Sequence, residues 1–122
     1  MSDRIKTIFY KGKEILWVDY SNLKGEEYIK IINEFRSKID ELVADGRSDI
    51  RCIVDGTNSE TSPAVWKVQL DFAKYLKPYM NGMALLGVEG LKKFFLEAGR
   101  KVNPKMRAFD TIEEAKEWLV NQ

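Results

Sequence analysis

Three nearly uninterrupted apolar runs place the strongest constraint on how this chain folds. They cover residues 15–18 (ILWV), 50–54 (IRCIV) and 83–88 (MALLGV). Strands that are apolar on both sides are typical of parallel sheets whose two faces are covered by helices. The runs therefore favour an α/β fold built on a buried, largely parallel sheet.

The segments between these runs have the apolar spacing of helices. The clearest covers residues 25–44, where apolar positions recur on one helical face. A second helix begins at Ser62 and Pro63, an N-cap followed by proline at the first helical position, and extends to about Lys77. Phe94 and Phe95 indicate a short third helix. We therefore expect a helix after each buried strand.

The remaining segments complete an α/β order. The third helix is expected to end near Gly99, and a strand over residues 105–109 and a helix over residues 112–120 follow it. Near the start, β-prone residues 7–10 and 15–19 flank a glycine-containing turn, which predicts a hairpin. The order is β-β-α-β-α-β-α-β-α. It predicts a mostly parallel sheet joined by right-handed crossovers, with an antiparallel N-terminal edge strand and helices packed against it.

Length and charge narrow the classes of protein. A chain of 122 residues is expected to form one domain spanning residues 1–122. Its net charge of +1 gives no reason to expect nucleic acid as a partner. No apolar run approaches the ~20 residues of a membrane span, and no signal-peptide stretch opens the chain. We therefore expect a cytoplasmic protein that is not transmembrane.

The residue types present exclude several chemistries. The chain has no histidine, which removes histidine-activated nucleophiles and histidine metal sites. Its one cysteine, Cys52, lies inside an apolar strand and is expected to be a buried core residue. No glycine-rich phosphate-binding motif and no nucleophile elbow is present. We expect no catalytic residues, no metal and no cofactor, and hence a protein that is not an enzyme.

Two motifs carry a resemblance to a known family. VDGT at 54–57 ends the central strand just before the Ser62-Pro63 helix start, and FDTIEEA at 109–115 closes the chain. These motifs resemble the STAS superfamily, and more closely its divergent SpoIIAA-like branch, over residues 8–119. The resemblance implies a SpoIIAA-like domain with a regulatory role, as in anti-sigma-factor antagonists or in modules of transporters and sensors. It also implies a fold related to the CRAL-TRIO lipid-binding domains.

The loop after the third strand is the first candidate site. In the STAS antagonists a partner kinase phosphorylates a serine or threonine at the start of the second helix, a role that the resemblance places on Ser59, Thr61 or Ser62. Where the antagonists carry a D-S-S-G-L type sequence, this chain has NSETSPA at 58–64. The alternative is that these residues satisfy turn and helix-cap hydrogen bonds. The partner or phosphorylation loop comprises Asp55, Thr57, Asn58, Ser59, Thr61 and Ser62.

A surplus of apolar residues on the second and third helices is the second candidate. Trp66, Leu70, Phe94 and Phe95 extend the apolar arcs beyond what one surface helix needs. They predict either a pocket for an apolar, lipid-like ligand or a surface for a homodimer. Ordinary core packing is the alternative.

Two charged sets are further candidates. Asp19 and Asp55 each end a strand. If the strands are neighbours, the two carboxylates would lie at one edge of the sheet and could hold Mg²⁺. The alternative is that both residues stabilise turns.

A set of basic residues could bind anionic lipid or an acidic partner, or it could be a solvated face. This set comprises Lys92, Lys93, Arg100, Lys101, Lys105 and Arg107.

The sequence thus leads to one functional hypothesis and one alternative. The first is a non-catalytic regulatory or interaction module that meets a protein partner through the loop after the third strand and the start of the second helix. The alternative is a binder or carrier of a small apolar ligand in a pocket beside the second helix.

Overall fold

A computed structural model describes residues 3–122 of the chain, apart from the side chain of Leu91. The predicted order of strands and helices is confirmed. None of the described helices is both long enough and apolar enough to cross a membrane. The elements are β1 Ile5–Tyr10, β2 Lys13–Asp19, α1 Gly25–Ala44, β3 Ile50–Asp55, α2 Pro63–Leu76, β4 Met80–Leu86, α3 Leu91–Val102, β5 Met106–Ala108 and α4 Ile112–Val120.

The strands form one 5-stranded sheet in the order β1-β2-β3-β4-β5. β1 runs antiparallel to β2 at the edge, and the other neighbours are parallel, as predicted. The hairpin turn between β1 and β2 consists of Lys11 and Gly12, with φ of 50° and 79°. Positive φ at both positions is the geometry of the two-residue hairpin turn that matches the twist of its strands.

The uniform strand order determines where the helices lie. Each parallel connection steps to the next strand in the same direction, so right-handed crossovers place α1, α2 and α3 on one face. The larger core lies there, and Phe35 of α1 meets Phe72 of α2 edge-on at 4.8 Å between ring centroids. α4 covers the opposite face through Ala115 and Leu119. The buried thiol of Cys52 belongs to the larger core, as expected.

The predicted start of α2 is confirmed in atomic detail. Ser62 Oγ accepts a hydrogen bond from the Val65 amide at 3.2 Å, and Pro63 occupies the first turn. From this start, α2 packs over the centre of the sheet and buries Val65, Phe72 and Leu76. α2 ends at Leu76, before Pro78.

The end of α3 differs from the prediction. The helix continues past Gly99 to Val102. Gly99 does not end the helix but allows close packing around it. A Cβ at this position would lie 3.1 Å from Met106 Cε and 3.8 Å from Trp66 Cη2. Smaller differences affect the strands: β1 and β2 each begin two residues before the predicted start, β4 begins at Met80 and not at residue 83, and β5 covers only Met106–Ala108.

Candidate ligand-binding cavity

The turns that follow β2 and β3 have the same construction. Asp19 and Asp55 are paired in the sheet register, so the two carboxylates do lie at one edge. Each accepts a hydrogen bond from the amide two residues later: Ser21 at 2.8 Å and Thr57 at 3.0 Å. Asp55 also accepts from the Thr57 hydroxyl at 2.6 Å. Both carboxylates therefore stabilise turns, and within residues 3–122 no group of three or more potential metal ligands occurs.

The loop after β3 has an outer side and an inner side. Thr57, Asn58 and Glu60 are exposed, whereas Ser59 is buried. The Ser59 hydroxyl donates to the Gly56 carbonyl at 2.7 Å. Thr61 Oγ1 is also buried and has no hydrogen-bond partner. The predicted loop residues are thus divided between solvent and the interior, and Ser62 is the helix cap.

The inner side of this loop lines a cavity between α2, α3 and the sheet. The cavity has a volume of about 140 Å³. An engineered apolar cavity of roughly 150 Å³ in another protein admits benzene, so the space suits a molecule of about one ring. The aromatic residues that line it are Tyr20, Tyr28, Phe35, Trp66, Phe72 and Phe95.

Three of the four predicted apolar site residues line the cavity. Trp66 and Leu70 contribute from α2 and Phe95 from α3. The Trp66 and Phe95 rings pack with centroids 4.9 Å apart, which joins the two helices beside the cavity. Phe94 points outward and is 71% exposed, touching only the edge of Phe95 among the described ring pairs.

Polar groups gather at the end of the cavity near β3 and β4. Lys92 Nζ donates to the carbonyls of Gly56 at 2.6 Å and Gly87 at 3.3 Å. Burial lowers the pKa of Lys92, while the nearby carboxylates Glu89 and Asp55 act in the opposite direction. Lys92 thus ties the first turn of α3 to the ends of two strands.

A second polar group reaches the cavity from α1. The hydroxyl of Tyr28 accepts a hydrogen bond from Gln69 Nε2 at 2.8 Å. Burial raises the pKa of Tyr28, and its interactions with Ser59 and Gln69 oppose that rise. Ser59 and Lys92 share the Gly56 carbonyl as acceptor, so polar groups lie along one side of the cavity.

The predicted basic set is not a uniform surface. Lys92 is turned inward, and Lys105 Nζ donates to the Met80 carbonyl at 2.9 Å. Lys93, Arg100 and Arg107 line a polar groove beside α3 that also contains Glu89, Glu97, Asp110 and Glu114. The mixed charge of that groove explains why the set does not present one continuous positive face.

Sequence reasoning named Ser59 and Thr61 but missed three other polar residues of the cavity. Tyr28 lies on the apolar face predicted for residues 25–44, Lys92 belongs to the predicted basic set, and Gln69 belongs to no predicted site. The sequence places Lys92 in the first turn of an amphipathic helix. That position does not reveal whether its side chain points into the cavity or into solvent. These residues converge only because three successive crossovers lie on the same face of the sheet.

Neither a scan against protein-family models nor a search of the curated proteins finds a match to this chain. The fold and the site define a single-domain α/β protein with an apolar, ring-sized cavity beneath α2 and α3.

Proposed function

We propose that this protein binds a small, largely apolar molecule in the cavity between α2, α3 and the sheet. The observation that carries the proposal is the aromatic-lined volume of about 140 Å³ inside an otherwise packed face. The cavity is partly open to solvent, and replacing water there with apolar ligand surface is favourable. A ligand that binds only the folded protein would also raise its stability.

The groups around the cavity favour binding over catalysis. Among the described lining residues there is no carboxylate and no thiol, and the chain contains no histidine. Lys92 donates to main-chain carbonyls, and the Tyr28 hydroxyl accepts from Gln69 Nε2. No pair of nucleophile and base of the kind that activates a hydroxyl is found among these residues.

The test uses toluene as a neutral, ring-sized probe, followed in amide NMR spectra of the full chain. Resonances of residues around Trp66 and Leu85 should move with saturable behaviour. Ala73→Leu places a larger side chain into the cavity wall and should weaken toluene binding by roughly tenfold or more.

The matched control is Ala64→Leu, the same change on an exposed position of α2, which should leave toluene binding unchanged. Far-UV circular dichroism of both variants checks that they are folded. The absence of saturable shifts in the wild-type protein, or equal toluene affinity in wild type and Ala73→Leu, would contradict the proposal.

A second candidate function is a regulatory interaction module of the kind that the STAS resemblance implies. The observation that favours it is the two-sided loop after β3. Its outer residues Thr57, Asn58 and Glu60 are exposed, while Ser59 and Thr61 of the same loop line the cavity. A partner bound to the outer side would contact the same loop that lines the cavity, so ligand binding would change the affinity for that partner.

The experiment for this candidate is affinity capture with the Thr57→Ala, Asn58→Ala, Glu60→Ala triple variant. These side chains do not line the cavity, so the variant should still bind toluene. Loss of a partner that the wild-type protein captures would support the module. Recovery of the same partners by both proteins would count against this loop.

A further inference from the structure

Three donors converge on one carbonyl at the polar end of the cavity. The Gly56 carbonyl accepts from Lys92 Nζ at 2.6 Å, from Ser59 Oγ at 2.7 Å and from the Ser59 amide at 3.0 Å. A carbonyl oxygen has two lone pairs, so these donors compete for it. The Thr61 hydroxyl, which can donate or accept, also lines the cavity and has no partner among the described residues. Lys92 can therefore exchange the Gly56 carbonyl for an acceptor on a ligand.

The cavity wall carries one charge. Lys92 is the sole charged side chain among the described lining residues, and it is partly buried. Asp55 and Glu89, which act electrostatically on Lys92, line the neighbouring polar groove and not the cavity. A monoanionic ligand inside the cavity would therefore form a charge-assisted hydrogen bond with Lys92 from the cavity side.

Resting on the proposed function, we propose that the ligand is a small aromatic carboxylic acid. Its single ring lies among Trp66 and Phe95, and its carboxylate accepts from Lys92. The volume of about 140 Å³ accommodates one ring and not a long acyl chain. A single lysine matches the charge of one carboxylate, whereas a phosphate dianion would leave excess negative charge.

Binding needs only a local exchange of partners. Lys92 leaves the Gly56 carbonyl for the carboxylate, and that carbonyl keeps both of its hydrogen bonds from Ser59. Burial, which lowers the pKa of Lys92, is then offset by a charge-assisted hydrogen bond to the ligand. The protein therefore gains an ion pair without leaving the main chain unsatisfied.

The experiment compares benzoate, benzamide and toluene as probes of the full chain by NMR titration. Benzoate should bind roughly tenfold or more tightly than toluene, and more tightly than the neutral, similarly shaped benzamide. Lys92→Met keeps most of the apolar stem but removes the charge. It should abolish the preference for benzoate over benzamide and toluene.

Lys93→Met is the matched control, since Lys93 is the exposed neighbour of Lys92 and should not influence the preference. Equal affinity for benzoate and benzamide, or unchanged benzoate binding in Lys92→Met, would overturn the inference of an aromatic acid. If toluene still binds the wild-type protein in that case, the proposal of an apolar ligand stands. Failure of all three probes to bind would instead remove the proposed function itself.

Discussion

At the scale of single residues, Gly87 explains how the polar end of the cavity keeps its shape. Its φ is +74°, and a Cβ there would lie 2.5 Å from the Thr57 amide nitrogen. Non-glycine residues disfavour that φ, and no carbon atom fits at that distance. Glycine therefore lets the turn after β4 approach the loop after β3 and present its carbonyl to Lys92.

We expect Gly87→Ala to lower the free energy of unfolding by roughly 2–4 kcal/mol, because backbone strain and a steric clash add together. Gly46→Ala is the control: φ is +86° at Gly46, but a Cβ would meet nothing within 4 Å. It should cost only about 1–2 kcal/mol. Urea unfolding of both variants measures the difference, and equal losses would show that the contact with Thr57 is unimportant.

At the scale of elements, α3 is the least secured of the four helices. Of its described residues only Gly99 is buried, whereas α1 buries Tyr28, Ile31, Ile32, Phe35 and Ile39. Its N-cap, Gly90, has no side chain with which to cap the helix. What holds the start of α3 is the pair of hydrogen bonds from Lys92 to the ends of β3 and β4. We therefore expect α3 to be the wall of the cavity that opens most readily.

We expect amide hydrogens of α3 to exchange with solvent faster than those of α1, because local opening of α3 exposes little apolar surface. Lys92→Met should raise the exchange rate of α3 further and leave α1 unchanged. Hydrogen–deuterium exchange followed by mass spectrometry resolves the two helices. Protection of α3 equal to that of α1 would show that it is an integral part of the core.

At the scale of the whole molecule, one buried arginine connects the central strand to the last helix. Arg51 in β3 is 8% exposed and donates from Nε to the Leu119 carbonyl at 3.1 Å. It also donates to the Gln122 backbone oxygen at 2.9 Å. The Leu119 carbonyl also accepts from the Gln122 amide at 3.2 Å, so Arg51 adds a second donor, from the sheet, at the end of α4. α4 is thereby anchored on the face that no crossover helix covers.

We expect Arg51→Met to lower the free energy of unfolding by about 1–3 kcal/mol, because it removes the charged hydrogen bonds that join β3 to Leu119 and Gln122. Arg47→Met is the control: Arg47 forms ion pairs with Glu14 and Asp49 near the surface, and such pairs contribute about 0–1 kcal/mol. Thermal or urea unfolding compares the two variants. An equal effect would mean that the Arg51 contacts with α4 carry no special weight.

The sequence by itself determined the order of elements and the faces they bury. Continuous apolar runs and helical spacing are local patterns, and so is the Ser62-Pro63 start of α2, whose cap the structure contains. These features depend on backbone geometry over a few residues and can therefore be read without knowing what lies opposite. The end of α3 could not be predicted in this way. Glycine at position 99 is explained by the close approach of Met106 and Trp66, and not by a turn of the backbone there.

The cavity was decided by the tertiary structure alone. The apolar surplus of α2 predicted either a pocket or a surface, and sequence could not choose between them. Only the packing of Phe95 against Trp66, with Phe94 outside, settles which ring faces inward. Likewise Lys92, Ser59 and Tyr28 lie on three different segments and meet because consecutive strands are neighbours in the sheet. Distances between such segments depend on every packed residue between them, which is information that no local pattern contains.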